Sequence, residues 1–151
     1  MLCKHLQSGE WKEDQRHGQG EMTFSQGGTT YKGQFKNGLK EGQGLYSWPD
    51  GAWYNGQFQG DRENGFGTYH FSNGDEYVGI FFNGRLHGNG TYTWASGGAK
   101  YVGEHVMDAR TGYGKIIYKD GAEFEGYWRY YDCIIYLATF PSHLKKNYTL
   151  V

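Results

Sequence analysis

Residues 31–48 read Tyr31-Lys32-Gly33-Gln34-Phe35-Lys36-Asn37-Gly38-Leu39-Lys40-Glu41-Gly42-Gln43-Gly44-Leu45-Tyr46-Ser47-Trp48. Two alternating arms flank Asn37-Gly38: Tyr31-x-Gly33-x-Phe35 before it and Gly44-x-Tyr46-x-Trp48 after it. A period of 2 marks a strand with one buried face, and aromatic side chains suit a pleated surface. Asn-Gly tolerates the positive φ of a tight turn. The stretch is therefore predicted to be a single β-hairpin.

The hairpin recurs along the chain. Gly9, Gly33, Gly56, Gly79, Gly103 and Gly126 follow one another at 24, 23, 23, 24 and 23 residues. Nine residues after each of the first five comes a Gly-x-Gly pair: Gly18/Gly20, Gly42/Gly44, Gly65/Gly67, Gly88/Gly90 and Gly112/Gly114. Tyr31, Tyr54, Tyr77, Tyr101 and Phe124 stand two positions before a leading Gly. Trp11, Phe35, Phe58, Phe81 and Trp128 stand two after, with His105 the exception. Second arms carry Met22/Phe24, Tyr69/Phe71, Tyr92/Trp94 and Ile116/Tyr118, and Pro49-Asp50-Gly51, Ser72-Asn73-Gly74 and Lys119-Asp120-Gly121 separate the repeats. Periodicity of this kind makes a repeat array whose units touch only their neighbours. Eleven strands at about 4.8 Å make a ribbon on the order of 50 Å long.

The phasing also gives the glycines a purpose. Gly33 and Gly44 share strand parity with the aromatics, so rings and glycines point to one face. Gly in a strand interior is costly and marks the close approach of another group. The expected core is rings lying in glycine slots, each ring removing roughly 150–250 Å² from water.

The unit Tyr-x-Gly-x-Phe/Trp, Asn-Gly, Gly-x-Gly-x-Tyr-x-Trp/Phe resembles the MORN (membrane occupation and recognition nexus) repeat, in about five copies plus a partial sixth. The clearest copies run from Tyr31 to Trp48, Tyr54 to Phe71 and Tyr77 to Trp94. The resemblance covers residues 7–129. It implies an all-β fold, an elongated, curved, single-layer antiparallel sheet of tandem β-hairpins. It also implies a scaffold or adaptor binding an extended or helical partner segment, in many relatives within cilia, flagella and the cytoskeleton. In relatives that include an enzyme, the chemistry belongs to another domain. The first copy departs with Gln7 in place of its leading Tyr, and the fifth with His105 and Thr111. After Trp128, Ile135 and Leu137 stand where another Gly-x-Gly would fall, so residues 130–151 form a separate segment.

Composition narrows the classes. The chain has 151 residues, 26 of them Gly and only 2 Pro, with 19 % aromatic. Gly without a Gly-X-Y period excludes collagen, and abundant aromatics exclude a disordered linker. No stretch approaches the roughly 20 apolar residues of a membrane-spanning helix. Met1–Leu6 contains no apolar signal region, and Cys3 and Cys133 are too few for a disulfide scaffold. A single soluble intracellular domain in a reducing compartment is expected. The net charge of −1 offers no global attraction to nucleic acid. No phosphate-cradling motif, catalytic constellation or metal cluster is recognisable, so neither enzyme activity nor a cofactor is expected. His17 and His87 recur before a Gly pair and read as solvated turn residues. Asp120, Glu123 and Glu125 read as an exposed charge cluster.

Three surfaces are candidates for binding. One is the aromatic face, with Tyr46, Trp48, Tyr54, Phe58, Tyr69, Phe71, Tyr77, Phe81, Tyr92 and Trp94. The opposite face is polar in repeats two and three (Lys32, Gln34, Lys36, Asn55, Gln57, Gln59). It turns apolar in repeats four and five (Val78, Ile80, Phe82, Val102, Val106, Ile117), where a cover is expected, either the C-terminal segment or a partner. The third is residues 130–140, a strongly apolar run ended by Pro141, expected to cap the last sheet edge or to bind a partner. Thr149-Leu150-Val151 fits the C-terminal pattern that PDZ grooves accept. The leading functional expectation is a non-enzymatic adaptor for a protein partner in an axonemal or other cytoskeletal assembly. Two alternatives are a membrane-apposed tether using Lys32, Lys36 and Lys40 on anionic phospholipid, and a regulatory subunit of an enzyme assembly.

Overall fold

The computed structural model describes residues 4–24, 27–130 and 132–139. They form twelve strands and no helix. The strands are β1 (Lys4–Lys12), β2 (Gln15–Phe24), β3 (Thr30–Lys36), β4 (Leu39–Ser47), β5 (Trp53–Gln59), β6 (Arg62–His70), β7 (Glu76–Phe82), β8 (Arg85–Thr93), β9 (Lys100–Val106), β10 (Ala109–Ile117), β11 (Glu123–Tyr130) and β12 (Asp132–Thr139). They pair in sequence order, every pair antiparallel, in one open sheet. To the eleven expected repeat strands Asp132–Thr139 adds a twelfth, pairing with β11 from Arg129 to Glu123 along the last sheet edge, the capping alternative for this segment. The array thus continues past Arg129, and residues 140–151, with Thr149-Leu150-Val151, lie outside the described residues.

Turn chemistry sets the hairpins. Asn37 and Gly38 both have positive φ, 51° and 79°, and Asn83 and Gly84 repeat them at 51° and 78°. This double left-handed turn matches the twist of two-residue hairpins. In the wider connections between repeats, a side chain substitutes for the ladder. Asp50 Oδ1 accepts from Ala52 N–H, Asn73 Oδ1 from Asp75 N–H and Asp120 Oδ1 from Ala122 N–H, each at 3.0 Å.

Each hairpin carries an irregularity that alternation alone did not reveal. Gly33 faces Gly44 and Phe35 faces Lys40, so Gln34 alone opposes Glu41, Gly42 and Gln43. The third repeat does the same, with Gly56 facing Gly67 and Phe58 facing Glu63. The first glycine of the Gly-x-Gly pair is the bulge residue, left-handed at φ 66° in Gly42 and 103° in Gly65. Gln34 Oε1 accepts the Gln43 N–H at 2.9 Å, and Gln57 Oε1 accepts the Phe66 N–H at 2.8 Å. The two glycines of a pair therefore differ in role: the first permits a backbone conformation, and the second permits a close approach.

That approach builds the core. The ring of Tyr54 lies flat over Gly56 and Gly67, where an added Cβ would stand 2.5–2.7 Å from it. Its hydroxyl donates to the Gln57 carbonyl at 2.9 Å. Tyr31, Tyr77 and Tyr101 cover their own glycine pairs in the same way, and all four rings have no exposed surface. Burying one such ring is worth on the order of 4 kcal/mol by area. The two strand glycines beneath it cost about 1 kcal/mol each. Ring burial wins.

The next Phe along stands edge-on to two tyrosines. Tyr31, Phe58, Tyr54, Phe81 and Tyr77 follow one another with centroids 4.9–5.2 Å apart and planes 75–85° apart. His105, Tyr101 and Trp128 continue the column. Edge-to-face pairs add about 0.5–1.5 kcal/mol each beyond burial. Because Phe58 and Phe81 each pack against the Tyr of their own repeat and of the one before, the column welds repeats together.

Gly67→Val places branched carbons inside the Tyr54 ring and is expected to destabilise the chain by about 3 kcal/mol, at the upper end for overpacked cores. Gly60→Asn, at φ 56° with nothing within 4 Å of a Cβ, is expected to cost well under about 1 kcal/mol. Urea titration of both variants checks the pair. Equal losses would refute the ring slots.

Candidate functional site

The aromatic face resolves into two columns. The inner one is the herringbone just described, and it contains Tyr54, Phe58, Tyr77 and Phe81, all 3 % exposed or less. These four offer a partner almost no surface. The outer column is half-buried: Phe24, Tyr46, Trp48, Tyr69, Phe71, Tyr92 and Trp94 run in line with centroids 4.5–5.7 Å apart. Its rings rest against the inner column on one side and keep the other side open. Six of the ten residues singled out on this face thus remain accessible, as one stripe.

Charged groups border the stripe. The Lys40 ammonium lies over the rings of Tyr46, Phe58 and Tyr31 at 4.3, 5.2 and 5.7 Å. The Arg110 guanidinium lies over Trp128, Tyr101 and Trp94 at 4.6, 5.5 and 5.8 Å. Lys32 and Lys36 are exposed on the opposite face of β3. The three lysines therefore do not form one basic stripe, because Lys40 pairs with Phe35 across the turn and so lies on the ring side.

At the fourth repeat the stripe is stiffened by a buried carboxylate. Asp75, 7 % exposed, accepts from the Tyr92 hydroxyl at 2.7 Å, the Ala95 N–H at 2.8 Å and Asn73 Nδ2 at 3.0 Å. Burial works to raise its carboxyl, yet the three hydrogen bonds prevail and hold it below the usual range. Asp75 stands where other repeats have Ala52 and Ala122, both buried. That exchange of a small apolar residue for an acid was the signal available in the sequence, and it was passed over. The Asp75 bridge fixes the Tyr92 ring by tying it to the loop ahead of β7.

His105 is the second repeat-specific feature. It occupies the inner-column slot held by Phe35, Phe58 and Phe81 elsewhere, is 2 % exposed, and its Nδ1 has no hydrogen-bond partner. Burial first, and the Arg110 charge second, push its imidazole down to about 4. With Leu86, Tyr92, Trp94, Asp108 and Arg110 it lines an open depression of about 210 Å³.

The opposite face is apolar further along than the repeat reading suggested. Phe66 is 56 % exposed beside Ile80, its register partner, so the apolar surface begins in the third repeat. Ile80, Phe82, Val102 and Val106 are exposed, while Val78 and Ile117 are half-buried. Strand β12 extends the sheet beside β11 and does not cross this face. Among the described residues nothing covers it.

Two smaller readings change. His17 and His87 sit within β2 and β8 rather than in turns, and His87 Nδ1 is a buried atom without a partner. Glu123 and Glu125 are half-buried and converge on Lys115, at 2.7 and 3.5 Å. Among the described residues, no group of three His, Cys, Asp or Glu is placed to hold a metal.

Set against models of known families, five consecutive segments match the MORN repeat: residues 8–29, 31–53, 54–76, 77–99 and 101–123. Each matched segment takes in a first arm, its tight turn and the bulged second arm. No curated protein matches the chain.

His105 gives a pH dependence whose sign is determined. Above about pH 6.5 the imidazole is neutral in both folded and unfolded chains. As pH falls towards 4, the unfolded chain takes up the proton and the folded one resists it, so stability is lost. The loss reaches about 3 kcal/mol. His105→Phe is expected to remove that slope and to raise stability at pH 5, read from melts across pH 4–7. Phe82→Asp is expected to move the urea stability of the isolated chain by less than about 1 kcal/mol, as at an uncovered surface site. A larger loss would mean that this face is covered.

Proposed function

Since the chain belongs to the MORN-repeat family, whose modules mediate protein or membrane interactions, we propose that it is a non-enzymatic adaptor holding a partner protein segment along the outer ring column. The observation that carries this reading is the unbroken stripe from Phe24 to Trp94, half-exposed and without a second layer over it. An exposed apolar stripe of several hundred Å² marks an interaction site. Such a stripe gains most from apolar side chains laid along it.

The stripe also favours a helical partner. Strand backbones on this face are paired with their neighbours across the sheet, so the face offers few backbone groups to an incoming chain. An extended segment buried there would lose its hydrogen bonds to water with nothing in return, whereas a helix satisfies its own. A nucleic-acid strand is disfavoured by the net charge of −1 and by Glu63 beside the rings. The tether reading needs clustered cations, and Lys32 and Lys36 face away from Lys40. We place it in a cilium or flagellum, or another cytoskeletal assembly, because many members of the repeat family belong there.

Crosslinking mass spectrometry of the tagged chain, purified from ciliated cells, tests the proposal. Crosslinks from Lys40 and Lys100 to a stable set of axonemal proteins are expected, and Trp48→Ala with Trp94→Ala should abolish them while a cooperative melting transition, lowered by the lost ring contacts, persists. Crosslinks confined to membrane-resident proteins would overturn the axonemal reading and favour the tether.

A further inference from the structure

Along the ring face, beside the single exchanges at Asp75 and His105, one row changes its chemistry from repeat to repeat. Arg16, Lys40, Glu63, Leu86 and Arg110 stand two positions before the bulge glycines Gly18, Gly42, Gly65, Gly88 and Gly112. All five are half-buried. The Arg16 guanidinium lies 5.1 Å from the centre of the Phe35 ring, and Lys40 and Arg110 cover rings as described. Glu63 is close enough that its charge, after burial, raises the hydroxyls of Tyr46, Tyr54 and Tyr69. Leu86 packs against the core and forms one wall of the 210 Å³ depression. Read along the sheet, the row is cation, cation, anion, apolar, cation.

The backbone holds this row in place. Lys40 C=O accepts from Asp61 N–H at 3.1 Å and Glu63 C=O from Gly84 N–H at 2.9 Å. Leu86 C=O accepts from Asp108 N–H at 3.0 Å. Asp61 and Asp108 carboxylates return the bond, accepting from Lys40 and Leu86 N–H at 2.8 and 2.9 Å. With Arg16 C=O accepting from Gly38 N–H at 2.9 Å, four of the five row residues are anchored to the turn of the following hairpin. Successive members lie two strands apart, about 9.6 Å. A helix rising about 1.5 Å per residue covers that distance in six to seven residues, two turns that return to the same side.

We propose that this row is the selectivity register of the groove, choosing a helix whose every seventh residue is complementary: acidic at Arg16 and Lys40, basic at Glu63, apolar at Leu86 and acidic at Arg110. The proposal rests on the reading that the groove accepts a helical segment. A lipid surface or a nucleic-acid backbone, uniformly anionic, meets repulsion at Glu63. A purely apolar helix takes water from these half-buried charged side chains and brings no opposite charge in return. Complementary charge at such sites governs partner choice and suppresses wrong partners.

The probes are designed amphipathic peptides of about 35 residues, long enough for five positions at helical rise. One set carries Glu, Glu, Lys, Leu and Glu at seven-residue spacing beside a Leu stripe, made in both chain directions. A second set has every charge inverted. Fluorescence anisotropy against the full chain at roughly 150 mM salt reads the affinities. One direction of the first set is expected to bind at least tenfold tighter than the second set. Glu63→Lys should weaken that preference, since three of the four charge contacts still favour the first set, and replacing the matching peptide Lys by Glu should restore it. Glu63→Gln, a milder change, should reduce the preference partway, and a melting curve on each variant confirms the fold. Equal affinity of both sets, with binding lost in Trp48→Ala, overturns the register and leaves the groove standing. Absence of binding by every probe overturns both.

Discussion

The structure depends on a tyrosine ring lying flat against two glycines on paired strands. A single-layer sheet has no second layer to bury its apolar face, so burial must come from within the sheet. Glycine makes that geometry accessible. With two Cβ atoms absent, the Tyr54 ring sinks onto the backbones of Gly56 and Gly67 and leaves no exposed surface. The hydroxyl then reaches the carbonyl of the residue opposite the bulge. Ring, slot and bulge form one device, and removing any part exposes the other two.

Repetition of the device yields a column, and the column turns weak local units into one body. A lone two-stranded hairpin is marginally stable in water. Here Phe58 and Phe81 each stand edge-on to the Tyr of their own repeat and to that of the preceding one, so these hairpins do not close their cores alone. The same logic explains why a second ring column stays half-open. The inner rings consume the glycine slots, and the outer rings, having none, pile onto them. What is left over from core formation is the accessible stripe.

Most of the fold was legible because its determinants are local and periodic. Alternation, Asn-Gly turns and the 23-residue phase of the glycines are properties of short stretches, and each repeat confirms the last. Strand parity even placed rings and glycines on the same face. The bulge was not legible: Gly42 and Gly44 look equivalent in a pattern, and only pairing shows that one bends the chain while the other admits a ring. Lys40 shares strand parity with Gly44 and Tyr46 and pairs with Phe35, which sets it on the ring side, away from Lys32 and Lys36. The twelfth strand lacks the repeat glycines, so the sequence marked it only as an apolar run that would cap the last edge or bind a partner, and its pairing with β11 is what puts it on the edge.

Chain order and residue type, taken alone, determined the class, the number of repeats, the hairpin turns and the composition of the core. They suffice for these because each depends on contacts within about 25 residues. Tertiary structure decided which of the aromatics are sealed and which are open, for burial depends on the rings of the adjoining repeats. It also placed Asp75 beneath Tyr92, and the ammonium of Lys40 and the guanidinium of Arg110 over the ring face. Those positions arise only when successive hairpins stack, since each is held by a turn or a ring that belongs to another repeat.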